Sequence, residues 1–190
     1  HLGRDLLARI LHGARLSLGL SFLIATCAAA IGGAVGLLAG VAGRVADAAL
    51  TRVTEIFLSF PELIAAVAIA GALGPSVTTM AVALIATGWM RHARVARSIV
   101  LEVRERDYVT QARLFGVGPA TLLWRHLAPA VAPSLVVLWT AGWARAILAV
   151  SGLGFLGFGA QPPEPEWGAM LLDARSRLMT DPLLMLWPGL

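Results

Sequence analysis

From Leu16 to Gly43 the chain carries no Asp, Glu, Lys or Arg. A helix needs about 20 apolar residues to cross the hydrocarbon core of a bilayer, and this run exceeds that. Lipid offers no partner for backbone N–H and C=O groups, so such a run must close its hydrogen bonds internally, as a helix. Gly32, Gly36 and Gly40 recur at four-residue steps within it. Small residues at that spacing let neighbouring helix backbones approach closely in lipid. A Gly-rich phosphate cradle is the rival reading. It fails because no Lys-Ser/Thr follows and no Walker A pattern occurs in the chain.

Composition extends the argument to the whole chain. It has 190 residues, is 58% hydrophobic and has a mean hydropathy of +0.79, well above the usage of soluble domains. The expected fold class is all-α: a polytopic transmembrane helix bundle forming a single domain over residues 1–190. The formal charge of +4 comes from Arg, since Lys is absent. Charges gathered at loops orient a membrane protein. A nucleic-acid partner would need a basic surface outside the bilayer, which the apolar spans argue against. The one cysteine, Cys27, lies in an apolar span and has no internal disulfide partner; it reads as a small buried residue. The chain opens on His1 without a signal-peptide pattern and ends within an apolar run. It is expected to be a fragment, truncated at both ends.

Taken in order, His1 to Arg15 alternates Arg4, Arg9 and Arg15 with Leu7, Ile10 and Leu11. It reads as a short amphipathic helix at the membrane surface, or as a helix capping the bundle. Leu16–Gly43 is the first span, and Arg44–Thr51 a polar connection. A second helix runs from about Leu50 to Leu73, with an Arg52–Glu55 pair and a kink at Pro61. Gly71–Ser76 reads as a tight turn. Val77 to about Val100 is the next helix. Arg91, Arg94 and Arg97 form a stripe on one face, either solvated or touching a partner. Val131–Gly159 is a further span, Gln161–Pro182 an extramembrane segment leaning acidic, and Leu183 begins a final apolar run.

Two charges fall inside expected spans. Arg145 and Glu62 lie at similar depths, about 21 and about 18 Å from the same side at 1.5 Å per residue. A lone Arg at a helix centre costs about 2.5–3.5 kcal/mol on insertion scales. The two either pair or line a translocation path, or Arg145 snorkels to the outer headgroups.

Between these apolar stretches sits a polar loop, residues 104–129. Arg104, Arg106, Arg113 and Arg125 lie in or beside it, and such an excess of positive charge marks cytoplasmic loops. Tyr108–Pro129 is expected to form two short helices, broken at Gly116–Gly118 and stopped at Pro129. No catalytic motif is present: neither G-x-S-x-G nor H-E-x-x-H occurs. His1, His12, His92 and His126 are scattered without metal-ligand spacing, so no metal site and no cofactor are expected in this chain. A secondary transporter would need midplane carboxylates and internal repeats. Only Glu62 qualifies, and no repeat is visible. A structural membrane subunit would need no such loop.

The loop resembles the EAA loop of bacterial ATP-binding-cassette importer permeases. Tyr108-Val109, Ala112, Arg113, Gly116, Arg125-His126-Leu127 and Pro129 match that pattern. Thr110 and Gln111 depart from it, standing where the family has Glu and Ala. Gly154–Trp167–Gly168, within GFLGFGAQPPEPEWGAML, resembles the di/oligopeptide and nickel branch. So does the opening Leu2-Gly3-Arg4-Asp5 followed by Gly13-Ala14-Arg15-Leu16-Ser17-Leu18. The resemblance covers nearly the whole chain. It implies a MetI-like permease fold, a multi-pass location in the bacterial plasma (inner) membrane, and a non-catalytic subunit. It implies further partners: a second permease subunit, an extracytoplasmic solute-binding protein, and two ATPase subunits that bind the ATP and Mg and dock on residues 104–129. Tyr108, Val109, Thr110, Gln111, Ala112, Arg113, Gly116, Gly118, Arg125, His126 and Pro129 would form that coupling loop. Peptide and nickel stand even as substrate. The resemblance also decides the topology for about four to five spans. A rival parse merges Leu63–Met90 into one span and satisfies the positive-inside tendency better by count.

Overall fold

The computed structural model describes residues 5–41, 44–161 and 163–189, with the side chains of Arg44 and Ala46 left aside. Helix α1 runs unbroken over Leu6–Val41. Asp5 caps its start by accepting the Leu7 N–H at 2.9 Å. The expected surface helix ending at Arg15 and the span beginning at Leu16 are therefore one helix. Nothing between them breaks the backbone, since a single Gly13 weakens a helix without ending it. His1–Arg4 lie outside the described residues.

Helix α2 covers Arg44–Leu58, α3 Glu62–Leu73 and α4 Val77–Val103. Two sequence expectations change here. Arg44–Thr51 is helical and not a connection, and Pro61 separates two helices where a kink within one was expected. The last amides of α2 are satisfied locally, Ser59 N–H to Glu55 O at 3.1 Å and Phe60 N–H to Phe57 O at 3.2 Å. Pro61 has no N–H to continue the ladder, and it drives its predecessor out of the helical region. Gly74, at φ +91°, makes the expected turn before α4. Ser76 caps α4, its Oγ accepting the Thr79 N–H at 3.0 Å.

Helix α5 covers Asp107–Leu114 and α6 Pro119–Leu122. A π-helical turn over Leu123–Leu127 leads into α7, Ala128–Phe155, followed by α8, Trp167–Arg175, and α9, Leu183–Gly189. No strand occurs among the described residues. Among the described residues two helical stretches, Leu6–Val41 and Pro119–Phe155, are long and apolar enough to cross a membrane. Among the same residues, the broken α2–α3 pair passes the length and composition requirement as a third if it is counted as one span. The uncharged part of α4 stops at Arg91.

The helices gather into two units. The first comprises His1–Ala25, Glu62–Ala86 and Gly142–Leu190. Within it Trp143 donates to Ser21 Oγ at 3.2 Å and meets Phe22 edge to face, ring centres 5.2 Å apart. The second comprises Thr26–Pro61 and Thr87–Ala141. Here the glycine stripe of α1 lies directly on α4. A Cβ at Gly32 would meet the Trp89 carbonyl, one at Gly36 the Ala96 methyl, and one at Gly40 the Val100 side chain. The arginine stripe of α4 is not uniformly solvated. Arg97 is half-buried and holds Asp47 of α2.

Candidate functional site

Residues 104–129 lie entirely in the second unit. Their inner face is apolar and fully packed. Val109 from α5, Leu122 from α6 and Leu127 from the π turn are buried with Ala96, Val100 and Val103 of α4 and Val131 of α7. At roughly 1.5–3 kcal/mol per fully buried aliphatic side chain, this seat fixes the loop to the two helices that flank it.

The break between the short helices has a specific cause. Gly116 stands at φ +80°, a left-handed conformation open to glycine at little cost. Its N–H donates to Arg113 O at 3.0 Å, and the Val117 N–H reaches back to Ala112 O at 3.1 Å. These paired bonds are the Schellman termination of α5. Gly118 then caps α6, and Pro119 occupies its first turn, where a missing N–H costs nothing.

Pro129 does not stop the second helix. Pro119–Phe155 runs on as one helical stretch, so the loop continues directly into α7. The π turn explains the difference. Ala128 donates to Leu123 O, five residues back. That widened turn makes room for the Pro129 ring against the preceding carbonyls, and it absorbs the hydrogen bond that Pro129 lacks.

The outer face is unlike the seat. Thr110, Gln111, Arg113 and Arg125 are exposed, and Ala112 and His126 are half-buried. Tyr108 and His126 approach with ring centres 6.0 Å apart, joining α5 to the π turn. Leu114 is 82%, Phe115 87% and Trp124 70% exposed. Sequence reading passed over these three because they stand among the arginines and glycines of a polar loop, beside Arg113, Gly116 and Arg125. Their signal was apolar residues lying off the Val109–Leu122–Leu127 face. Beside the loop, Arg104 donates to Gly40 O at 3.2 Å. Together with Arg113 it edges an open groove of about 500 Å³.

Glu62, at the start of α3, and Arg145, in α7, both belong to the first unit and are both exposed. No group of three or more His, Cys, Asp or Glu side chains is placed to hold a metal ion among the described residues.

Residues 32–186 match the family of binding-protein-dependent transport system inner membrane components. The chain belongs to that family. The nickel transport system permease protein NikC of Escherichia coli K12 is 41% identical, over the whole of this chain and 69% of its own length. The di/tripeptide transport system permease protein DppC of Pseudomonas aeruginosa is 40% identical, over the whole chain and 62% of its own length. The dipeptide transport system permease protein DppC of Alkalihalophilus pseudofirmus is 38% identical, over 98% of this chain and 62% of its own. The chain thus spans less than two thirds of both DppC relatives. As a family member it is a permease subunit of an ATP-binding-cassette importer and not the subunit that hydrolyses ATP. Its all-helical architecture agrees with that membership.

Proposed function

We propose that this permease forms half of a translocation path for nickel, as ion or chelate, or for di/oligopeptides. It would lie as a multi-pass protein in the bacterial plasma membrane, beside a second permease subunit. Two ATPase subunits, which bind ATP and Mg, would dock on the cytoplasmic side, and a solute-binding protein would deliver cargo outside. Residues 104–129 are the coupling loop.

One observation carries this reading: Leu114, Phe115 and Trp124 stand in water on a loop whose opposite face is fully buried. Large apolar side chains held out from a rigid seat are what a partner surface grips, and aromatic residues dominate such contacts. Arg113 and Arg125 beside them suit an acidic rim on the ATPase. Because the loop runs without a break into α7, a push on it becomes movement of a spanning helix. Glu62 and Arg145 are assigned to the path, as a pair or as lining groups.

The test is uptake of labelled nickel and of a labelled dipeptide into vesicles holding this chain and its co-expressed neighbours. ATP-dependent accumulation of either cargo supports the reading, and accumulation that ignores ATP contradicts it. Arg145→Leu is expected to impair uptake. Normal uptake by that variant removes Arg145 from the path.

A further inference from the structure

Between α7 and α8 a carboxylate is buried against neutral hydrogen-bond donors. Glu166 is 0% exposed. Its Oε1 accepts the Gly168 N–H at 2.8 Å and its Oε2 the Ala169 N–H at 2.9 Å, so it caps α8. Ser17 of α1 donates to Oε1 at 3.3 Å, and its Oγ accepts the Trp167 N–H at 3.1 Å. The Trp167 indole donates to Ile10 O at 3.2 Å.

Glycines make the space for this arrangement. A Cβ at Gly154, near the end of α7, would collide with Glu166 Oε2. One at Gly168 would run into the Ser151 carbonyl. A capping side chain at the surface would start α8 equally well without the cost of taking a carboxylate out of water. What burial adds is attachment. One side chain ties α8 to the start of α1 and to the end of α7.

We propose that Glu166 is a positioning residue for transport, locking α8 and the start of α1 to the end of α7 so that movement of α7 is handed on to both. This rests on the reading that α7 is driven from the loop. α7 is the helix that continues from residues 104–129 and finishes at Phe155, next to Gly154. An ion pair that also joins α1 to α8, Arg9–Asp173 at 3.5 Å, is partly solvated. It is no substitute for the buried lock.

The experiment uses the assembled transporter in proteoliposomes, with Glu166→Ala, Glu166→Gln and Ser17→Ala. It reads co-purification of the ATPase subunits, ATP turnover, uptake of labelled nickel and a labelled dipeptide, and hydrogen exchange at residues 168–169. In Glu166→Ala the ATPase subunits stay bound and turnover stays within about twofold. Exchange at 168–169 rises about tenfold or more, and uptake falls about tenfold. Glu166→Gln, which keeps one acceptor oxygen, recovers part of the uptake. Wild-type uptake in Glu166→Ala overturns the proposal. Should that variant fail to assemble, Ser17→Ala decides, because it keeps the cap and loses the tie to α1. Reduced uptake at normal turnover supports the lock, and wild-type uptake overturns it. Failure of the loop reading is seen separately, as normal ATPase co-purification in Phe115→Ala.

Discussion

Arg97 in α4 grips Asp47 in α2 with two hydrogen bonds, one from Nε to Oδ1 and one from Nη2 to Oδ2 at 2.7 Å. Both side chains are about three-quarters buried. The paired geometry matches the fixed fork of a guanidinium to a carboxylate. Asp47→Ala leaves a partly desolvated cation without its acceptor. It should lower the stability of the purified complex by about 1–3 kcal/mol, read as a lower thermal midpoint. Arg97→Lys, a point charge without the fork, should recover only part of the loss.

The turn at Gly116 makes a second prediction. Gly116→Val places a β-branched residue at φ +80°, at a cost of about 1–2 kcal/mol or more. Membrane insertion should be normal, because the turn lies outside the spans. Transport and coupled ATP turnover should be lost. Gly116→Asn, which tolerates the left-handed region, should retain a measurable part of both. Wild-type coupling in the valine variant would defeat the idea of a rigid loop.

Phe115→Ala and Trp124→Ala separate docking from folding. Both side chains face water, so their loss should change stability by no more than about 0.5 kcal/mol. If they anchor the ATPase, each should weaken its binding by about 2 kcal/mol or more, roughly thirtyfold. A titration of purified ATPase subunit against the reconstituted permease measures this.

Burial pushes the Glu166 carboxyl above its ordinary range, against the opposing pull of the Gly168 and Ala169 amides and the Ser17 hydroxyl. The folded state therefore holds that proton more tightly than the unfolded chain. Its stabilising contribution is complete below the ordinary carboxylate pKa. It is lost as pH rises through the raised one. Thermal midpoints measured upward from about pH 4 should show a decline over that window. The decline should be absent in Glu166→Gln.

How far the sequence discloses this molecule depends on whether the cause is local. The uncharged run before Arg44 announces α1, and the Gly32–Gly36–Gly40 stripe announces a close helix contact. Gly116 announces the end of α5, because the left-handed conformation needed there selects glycine. Pro129 misleads. The π turn that accommodates it is a backbone adjustment with no compositional signature. Arg44 and Asp47 resemble a polar connection because the partner that makes Asp47 part of a helix contact, Arg97, is fifty residues away. Glu166 is hidden for the same reason. Among prolines it reads as a solvated acid, and only Ser17 and Gly154, both distant in the chain, make it a buried lock.

The central claim is that residues 104–129 are the surface through which a separate ATPase drives this permease. The most direct measurement places a single thiol on the loop, as Phe115→Cys in a Cys27→Ser background, and follows its cross-linking in intact vesicles of the assembled transporter. The account predicts a cross-link to the ATPase subunit and labelling of the thiol by impermeant reagents only from the cytoplasmic side. A thiol labelled from the opposite face, with no cross-link to the ATPase, contradicts it.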